Sequence, residues 1–83
     1  MIKMILRLPE VKAQSGYSRS TIYLRITQGL WTKAIRLGER SVGWPSTEIA
    51  ALNAARIANK SNDEIRALVI KLESARKTAM EEV

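Results

Sequence analysis

A mainly α fold, with four helices and one small two-stranded β-hairpin between the second and third, is what this sequence predicts. Two observations carry that prediction. Apolar residues recur at helical spacing in four segments, each opened by a proline or serine start signal. Residues 33–44 break that rhythm, alternating with period two on either side of a turn. A third observation sets the scale. A chain of 83 residues without cysteine makes one small domain that buries only about 60–65% of its unfolded surface. With no disulfide framework, it must find well-packed helices or a partner subunit.

The first helix opens at Leu8-Pro9-Glu10-Val11, with proline in the first turn and an acid complementing the helix dipole. Leu8, Val11 and Ala13 are expected to face inward. Ser15-Gly16 ends it, because glycine accepts the left-handed conformation of a tight corner. Ser18 then occupies an N-cap position. Ile22 and Ile26 define one buried face, and Gly29 closes the second helix. On a helical wheel Ser20, Leu24, Thr27 and Gln28 fall opposite that face, with Tyr23 and Arg25 at its flanks. Two short helices around a glycine corner form either a helix-turn-helix or a packing αα-hairpin.

Residues 30–45 bear on the choice. Ile35 and Leu37 alternate with Arg36, Gly38-Glu39-Arg40-Ser41 supplies a turn, and Val42-Gly43-Trp44 returns. A two-stranded hairpin is marginal alone, so Ile35 and Trp44 are expected to anchor it on the helices. Arg36 and Arg40 are left outward on a thin loop. Helix-turn-helix followed by a small basic hairpin is a winged helix-turn-helix.

Ser46 is the expected cap of the third helix, with Glu48 in its first turn and Ile49, Leu52 and Ile57 as its apolar positions. Asn59-Lys60 breaks it. Ser61-Asn62-Asp63-Glu64 matches the Ser-x-x-Glu capping box. Beyond it Ile65, Leu68, Leu72, Ala75 and Ala79 step by three and four, and Val69 and Ile70 widen the seam. This last helix either folds back onto its own domain or pairs with a second copy. Pairing is the favoured expectation, through Ile65, Leu68, Leu72 and Ala75.

Charge divides unevenly. The chain carries +6. Residues 1–45 hold eight Lys/Arg and two Glu, and residues 46–83 hold six of each sign. The whole excess therefore lies on the first half, as in the footprint of a polyanion-binding domain. Without histidine or cysteine, zinc fingers, Ser–His triads and most metalloenzymes are excluded. The remaining side chains show no nucleophile-plus-base set, so an enzyme is not expected. No cofactor or small-molecule ligand is indicated. No apolar run approaches the roughly 18 residues of a membrane span, and the apolar stretch at the start, MIKMILRLPE, is expected to be too short for a signal peptide. A cytoplasmic protein is the expectation.

The stretches RLPEVKAQSGYSRSTIY and IRLGERSVGW, followed by a helix beginning STEI, resemble the AlpA family of small prophage transcriptional regulators. These are winged helix-turn-helix proteins akin in fold to MerR regulators and phage excisionases. The resemblance covers about residues 5–58. It implies a regulator that binds DNA near a phage integration gene, often favouring excision. Carried onto this chain, it sets Ser18, Arg19, Ser20, Thr21 and Tyr23 at the DNA end of a recognition helix and Arg40 on the wing. The chain departs from the family pattern at Leu24-Arg25, where a basic then an apolar residue is usual. It departs again at Thr27-Gln28, where a basic pair is usual. Phosphate attraction should drop by about one salt-slope unit per lost contact.

The expected organisation is a DNA-binding winged helix-turn-helix over residues 1–60 and a C-terminal helix, the dimerisation element, over 61–83. The expected partner is double-stranded DNA. Arg19 is the candidate for a guanine contact and Gln28 for an adenine edge, while Leu24 presses on a thymine methyl or is covered by protein. Lys33, Arg36 and Arg40 would grip phosphates, with Arg25 beside them. Two other classes remain open. An excisionase-like architectural protein would bend its site in a circular-permutation gel shift. A protein-interaction module working through its last helix would not retard duplex DNA.

Overall fold

The computed structural model describes residues 4–81. In chain order the elements are β1 (Ile5–Arg7), α1 (Leu8–Ser15), α2 (Arg19–Thr27), β2 (Ile35–Arg36), β3 (Val42–Pro45), α3 (Ser46–Ile57) and α4 (Asn62–Glu81). The four helices stand where the periodicity predicts them. The sheet differs from expectation, because a third strand joins the hairpin in the antiparallel order β1-β3-β2. Ile5 faces Pro45, Leu6 faces Trp44 and Arg7 faces Gly43 across the added ladder. The three-residue strand runs straight into α1, too short for its alternation to stand out in the sequence. Strand β1 turns the hairpin from a free ribbon into an anchored sheet.

Gly43 is required at its place in the central strand. A Cβ there would lie 2.5 Å from the Ile5 Cγ2 and 3.0 Å from the Leu6 carbonyl oxygen. The latter is backbone and cannot swing aside.

The core is one cluster: Leu6, Val11, Ile22, Trp31, Trp44, Ile49, Leu52 and Val69, each at most 5% exposed. Trp44 fills it as expected and fixes its indole by donating to the Thr32 carbonyl at 2.8 Å. The second anchor is Trp31 rather than Ile35, which is only half-buried and lies outside the cluster. Two apolar expectations are corrected: Ala13 is exposed, and Ile57 is 82% exposed because it ends α3 beyond the reach of the core. Leu37, beside Ile35 in the alternation, is 44% exposed.

Gly16, at φ 77°, terminates α1, and its N–H donates to the Lys12 carbonyl. Glu10 accepts from the Arg7 N–H at 3.0 Å and satisfies an orphan donor at the start of that helix. Ser46 is not the cap of α3. Pro45 holds that position, and Ser46 instead exchanges bonds with Met4 through its N–H and hydroxyl. Closure of the third strand claims it. Glu48 is no exposed dipole complement. Its carboxylate is 4% exposed and meets the Arg76 guanidinium twice at 2.7 Å.

Helix α4 folds back onto its own domain. Val69 enters the core, and Ile65, Leu68 and Leu72 pack against it. Ala75 and Ile70 are exposed, and the Ala79 side chain lies outside the described residues.

Candidate nucleic-acid interface

Helix α2 is nine residues long, shorter than the roughly 12–15 needed for a helix to hold in isolation. It stands because it is capped and packed. The Ser18 hydroxyl accepts from the Thr21 N–H at 3.3 Å, donates to the Thr21 hydroxyl at 3.0 Å, and lies 3.2 Å from the Ser20 hydroxyl. Ile22 is completely buried and Ile26 half-buried against the core. The opposite face is open: Ser20, Leu24, Thr27 and Gln28 are all exposed, with Leu24 at 55%. Thr27 turns its hydroxyl onto the Leu24 carbonyl. The Gln28 carbonyl accepts from the Arg66 guanidinium at 3.0 Å. That bond leaves the exposed amide side chain of Gln28 outside it.

The hydroxyl cluster separates roles that the sequence lumps together. Ser18 already accepts one bond and donates its only hydrogen to Thr21. The Thr21 O–H is free to donate outward from the first turn of a helix whose N–H dipoles favour an anion.

One flank of α2 meets the hairpin. Arg19, Tyr23, Arg40 and Val42 line a surface groove of about 600 Å3 together with Arg7, Leu8 and Pro9. The Arg19 guanidinium lies 5.6 Å from the Tyr23 ring centre, and Tyr23 leans edge-on against Trp44 at 6.4 Å. Packing thus fixes the ring on which the arginine rests. Arg7 joins this groove with its guanidinium on the Ser41 hydroxyl at 3.3 Å. Sequence spacing gives no hint of it, since only the pairing of β1 with β3 brings residue 7 beside residue 41. Arg36 is exposed on β2 opposite Val42, on the same hairpin.

Lys33 does not join this group. It lines a smaller cleft on the α4 side with Ile26, Trp31, Arg66 and Glu73, and its backbone N–H donates to the Glu73 carboxylate. Arg25 lies on the opposite flank, 5.6 Å from the Tyr17 ring.

The electrostatics follow. Among the described residues every ion pair belongs to the second half: Lys60–Glu64, Arg66–Asp63 and Arg76–Glu48. Arg7, Arg19, Arg25, Arg36 and Arg40 have no carboxylate within pairing distance among the described residues. The excess charge of the first half is therefore uncompensated in space as well as in sequence. In this surface, cations, hydroxyls and one aromatic face are held by a packed scaffold. It can grip an extended anion; nothing in it presents a nucleophile beside a base. No group of acidic, histidine or cysteine side chains suited to a metal ion occurs among the described residues, and no helix there is long and apolar enough to cross a membrane.

Comparison with known proteins agrees with this architecture. The family described as Prophage CP4-57 regulatory protein (AlpA) matches residues 4–57, which run from β1 to the end of α3 and include every residue lining the Arg19–Arg40 groove. The chain is 44% identical over 55 residues to the uncharacterized protein ORF88 of Enterobacteria phage P4, a match covering 66% of this chain and 62% of that protein. No solved structure matches it. With its family model matched from β1 to the end of α3, more than half of its length, the chain belongs to the AlpA family of prophage regulatory proteins.

Proposed function

We propose that the protein is a sequence-specific, double-stranded DNA-binding transcriptional regulator of prophage or mobile-element type. The observation that carries this reading is the convergence of unpaired arginines from three elements, Arg7, Arg19 and Arg40, on one groove beside the exposed face of α2. Helix α2 enters the major groove with its N-terminal turn leading. The hydroxyls of Ser20 and Thr21 and the backbone N–H groups of that turn meet phosphate or base edges. Arg19 reads a guanine edge, Leu24 lies against a thymine methyl, and Gln28 reaches an adenine. Arg36, Arg40 and Arg7 hold the wing on the backbone and set register without reading sequence. On this reading the protein works on cytoplasmic DNA and requires no cofactor.

The test is selection of duplexes from a random pool by the purified chain, followed by titration of the recovered site. Arg19→Ala is expected to relax preference at one base position, at a cost of about 1–3 kcal/mol. Arg40→Ala should weaken all sequences alike and lower the salt slope by about one. Failure to retard any duplex at about 150 mM salt, a concentration at which specific binders hold their sites, would overturn the reading.

A further inference from the structure

Helix α2 has a second cationic flank, and one of its residues comes from the electroneutral half of the chain. At 3.6 residues per turn, Arg25 lies about 160° around the helix from Tyr23. The inward residues Ile22 and Ile26 fall between them. Arg19 and Tyr23 therefore look toward the wing, and Arg25 looks the other way. There it rests on Tyr17, whose ring also carries Arg56 of α3 at 4.1 Å on the guanidinium carbon. Tyr17 in turn stands edge-on to the buried Trp31 at 5.7 Å, so the platform is rigid.

The Arg56 Nη1 donates to the Ser15 carbonyl at 2.8 Å and to the Asn53 side-chain oxygen at 3.1 Å. Asn53 donates to the Gln14 carbonyl. These bonds orient the guanidinium at the corner between α1 and α2. Its Nε and Nη2 have no partner among the described residues, and the Arg25 side chain has no hydrogen bond or ion pair there. The two cations share one aromatic ring with no carboxylate between them.

Resting on the DNA reading above, we infer that Arg25 and Arg56, stacked on Tyr17, form a second phosphate clamp. It grips the strand on the groove wall opposite the one held by Arg7 and Arg40. The dimensions allow this. A helix with its side chains is about 10–12 Å across and the major groove about 12 Å wide, so both flanks of a helix seated there face a phosphate wall. Arginine suits the task, since a stacked planar guanidinium keeps its fork of donors for a phosphate.

The test is the salt dependence of duplex binding by the full chain, measured by fluorescence anisotropy on its selected site and on an unrelated duplex. Arg25→Gln and Arg56→Gln are each expected to lower the slope of log K against log salt by about 0.9. Affinity should fall by the same factor on both duplexes, with base preference unchanged. Arg56→Lys should restore the slope, because it returns the charge. If Arg56→Gln lowers Tm and affinity but leaves the slope intact, Arg56 serves only to cap α1 and the clamp is overturned. Should that variant not fold, Arg25→Gln decides, since the Arg25 side chain makes no hydrogen bond or ion pair among the described residues. An unchanged slope there overturns the clamp while the wild-type chain still binds. Absence of wild-type binding is a separate outcome, which removes the DNA reading and the clamp with it.

Discussion

Thr32 lies in the link between α2 and β2 with no exposed surface, and its hydroxyl has no hydrogen-bond partner among the described residues. The useful atom there is the main-chain carbonyl, which accepts the Trp44 indole N–H. A buried unpaired hydroxyl costs about 1–3 kcal/mol, so Thr32→Val, of the same shape, is expected to stabilise the fold. A gain of about 1 kcal/mol would raise Tm by roughly 4–8 °C in a domain of this size. A lower Tm in calorimetry would show that the hydroxyl is satisfied after all. Ser18 is the opposite case, a small polar residue with two local bonds at the start of α2. Ser18→Ala should cost about 1 kcal/mol and Ser18→Asn much less, since asparagine also caps. If DNA affinity falls in both variants equally, Ser18 touches DNA directly rather than through its cap.

Individual elements vary in how far they depend on their neighbours. Helix α4 carries its own start signal. Ser61 accepts from the Glu64 N–H at 3.2 Å, and the Glu64 carboxylate accepts from the Ser61 N–H at 3.0 Å. The backbone bond, then the side-chain bond to Ser61, with nearby Lys60 adding a smaller effect, hold the Glu64 carboxyl below its ordinary pKa. A carboxyl lowered in the folded state contributes stability above its unfolded pKa, and that contribution disappears as pH falls through the folded value. Wild type should therefore exceed Glu64→Gln in denaturant resistance at neutral pH, and the gap should close in acid. A gap that persists at acid pH would mean that the charge on Glu64 is irrelevant. Strand β1 has no such autonomy. Three residues long, it exists because Trp44 and Gly43 give Leu6 and Arg7 a ladder to join.

Across the whole molecule, α4 behaves as a strap. The Arg66 guanidinium bonds the Gln28 carbonyl, the Glu73 carboxylate accepts from the Lys33 N–H, and the Arg76 guanidinium bonds both the Lys33 carbonyl and Glu48. These contacts fix the end of α2 and the entry to the wing, although α4 lies beyond the residues matched by the family. Removal of one member of a buried pair strands the other charge. Arg76→Ala is thus expected to lose about 3–5 kcal/mol, and replacement of both Glu48 and Arg76 by leucine far less. Equal losses in urea unfolding would show that the bonds to Lys33, rather than the ion pair, carry the effect.

The sequence by itself determined the four helices, their caps at Ser18 and Ser61, the hairpin around Gly38–Ser41 and the basic character of the first half. Each of these rests on local spacing, on turn chemistry or on composition. Only the tertiary structure decided what depends on distant residues meeting. Strand β1 needs β3 beside it, and Arg7 reaches the groove through that pairing. Glu48 is buried because Arg76 is there to neutralise it. The seam of α4 serves the chain's own core because Val69 finds room beside Ile49 and Leu52. Arg56, in the half with no net charge, meets Arg25 on the Tyr17 ring because α3 packs at the corner between α1 and α2. Periodicity tells which face of a helix is apolar; which surface that face meets is settled by the packing of residues distant along the chain.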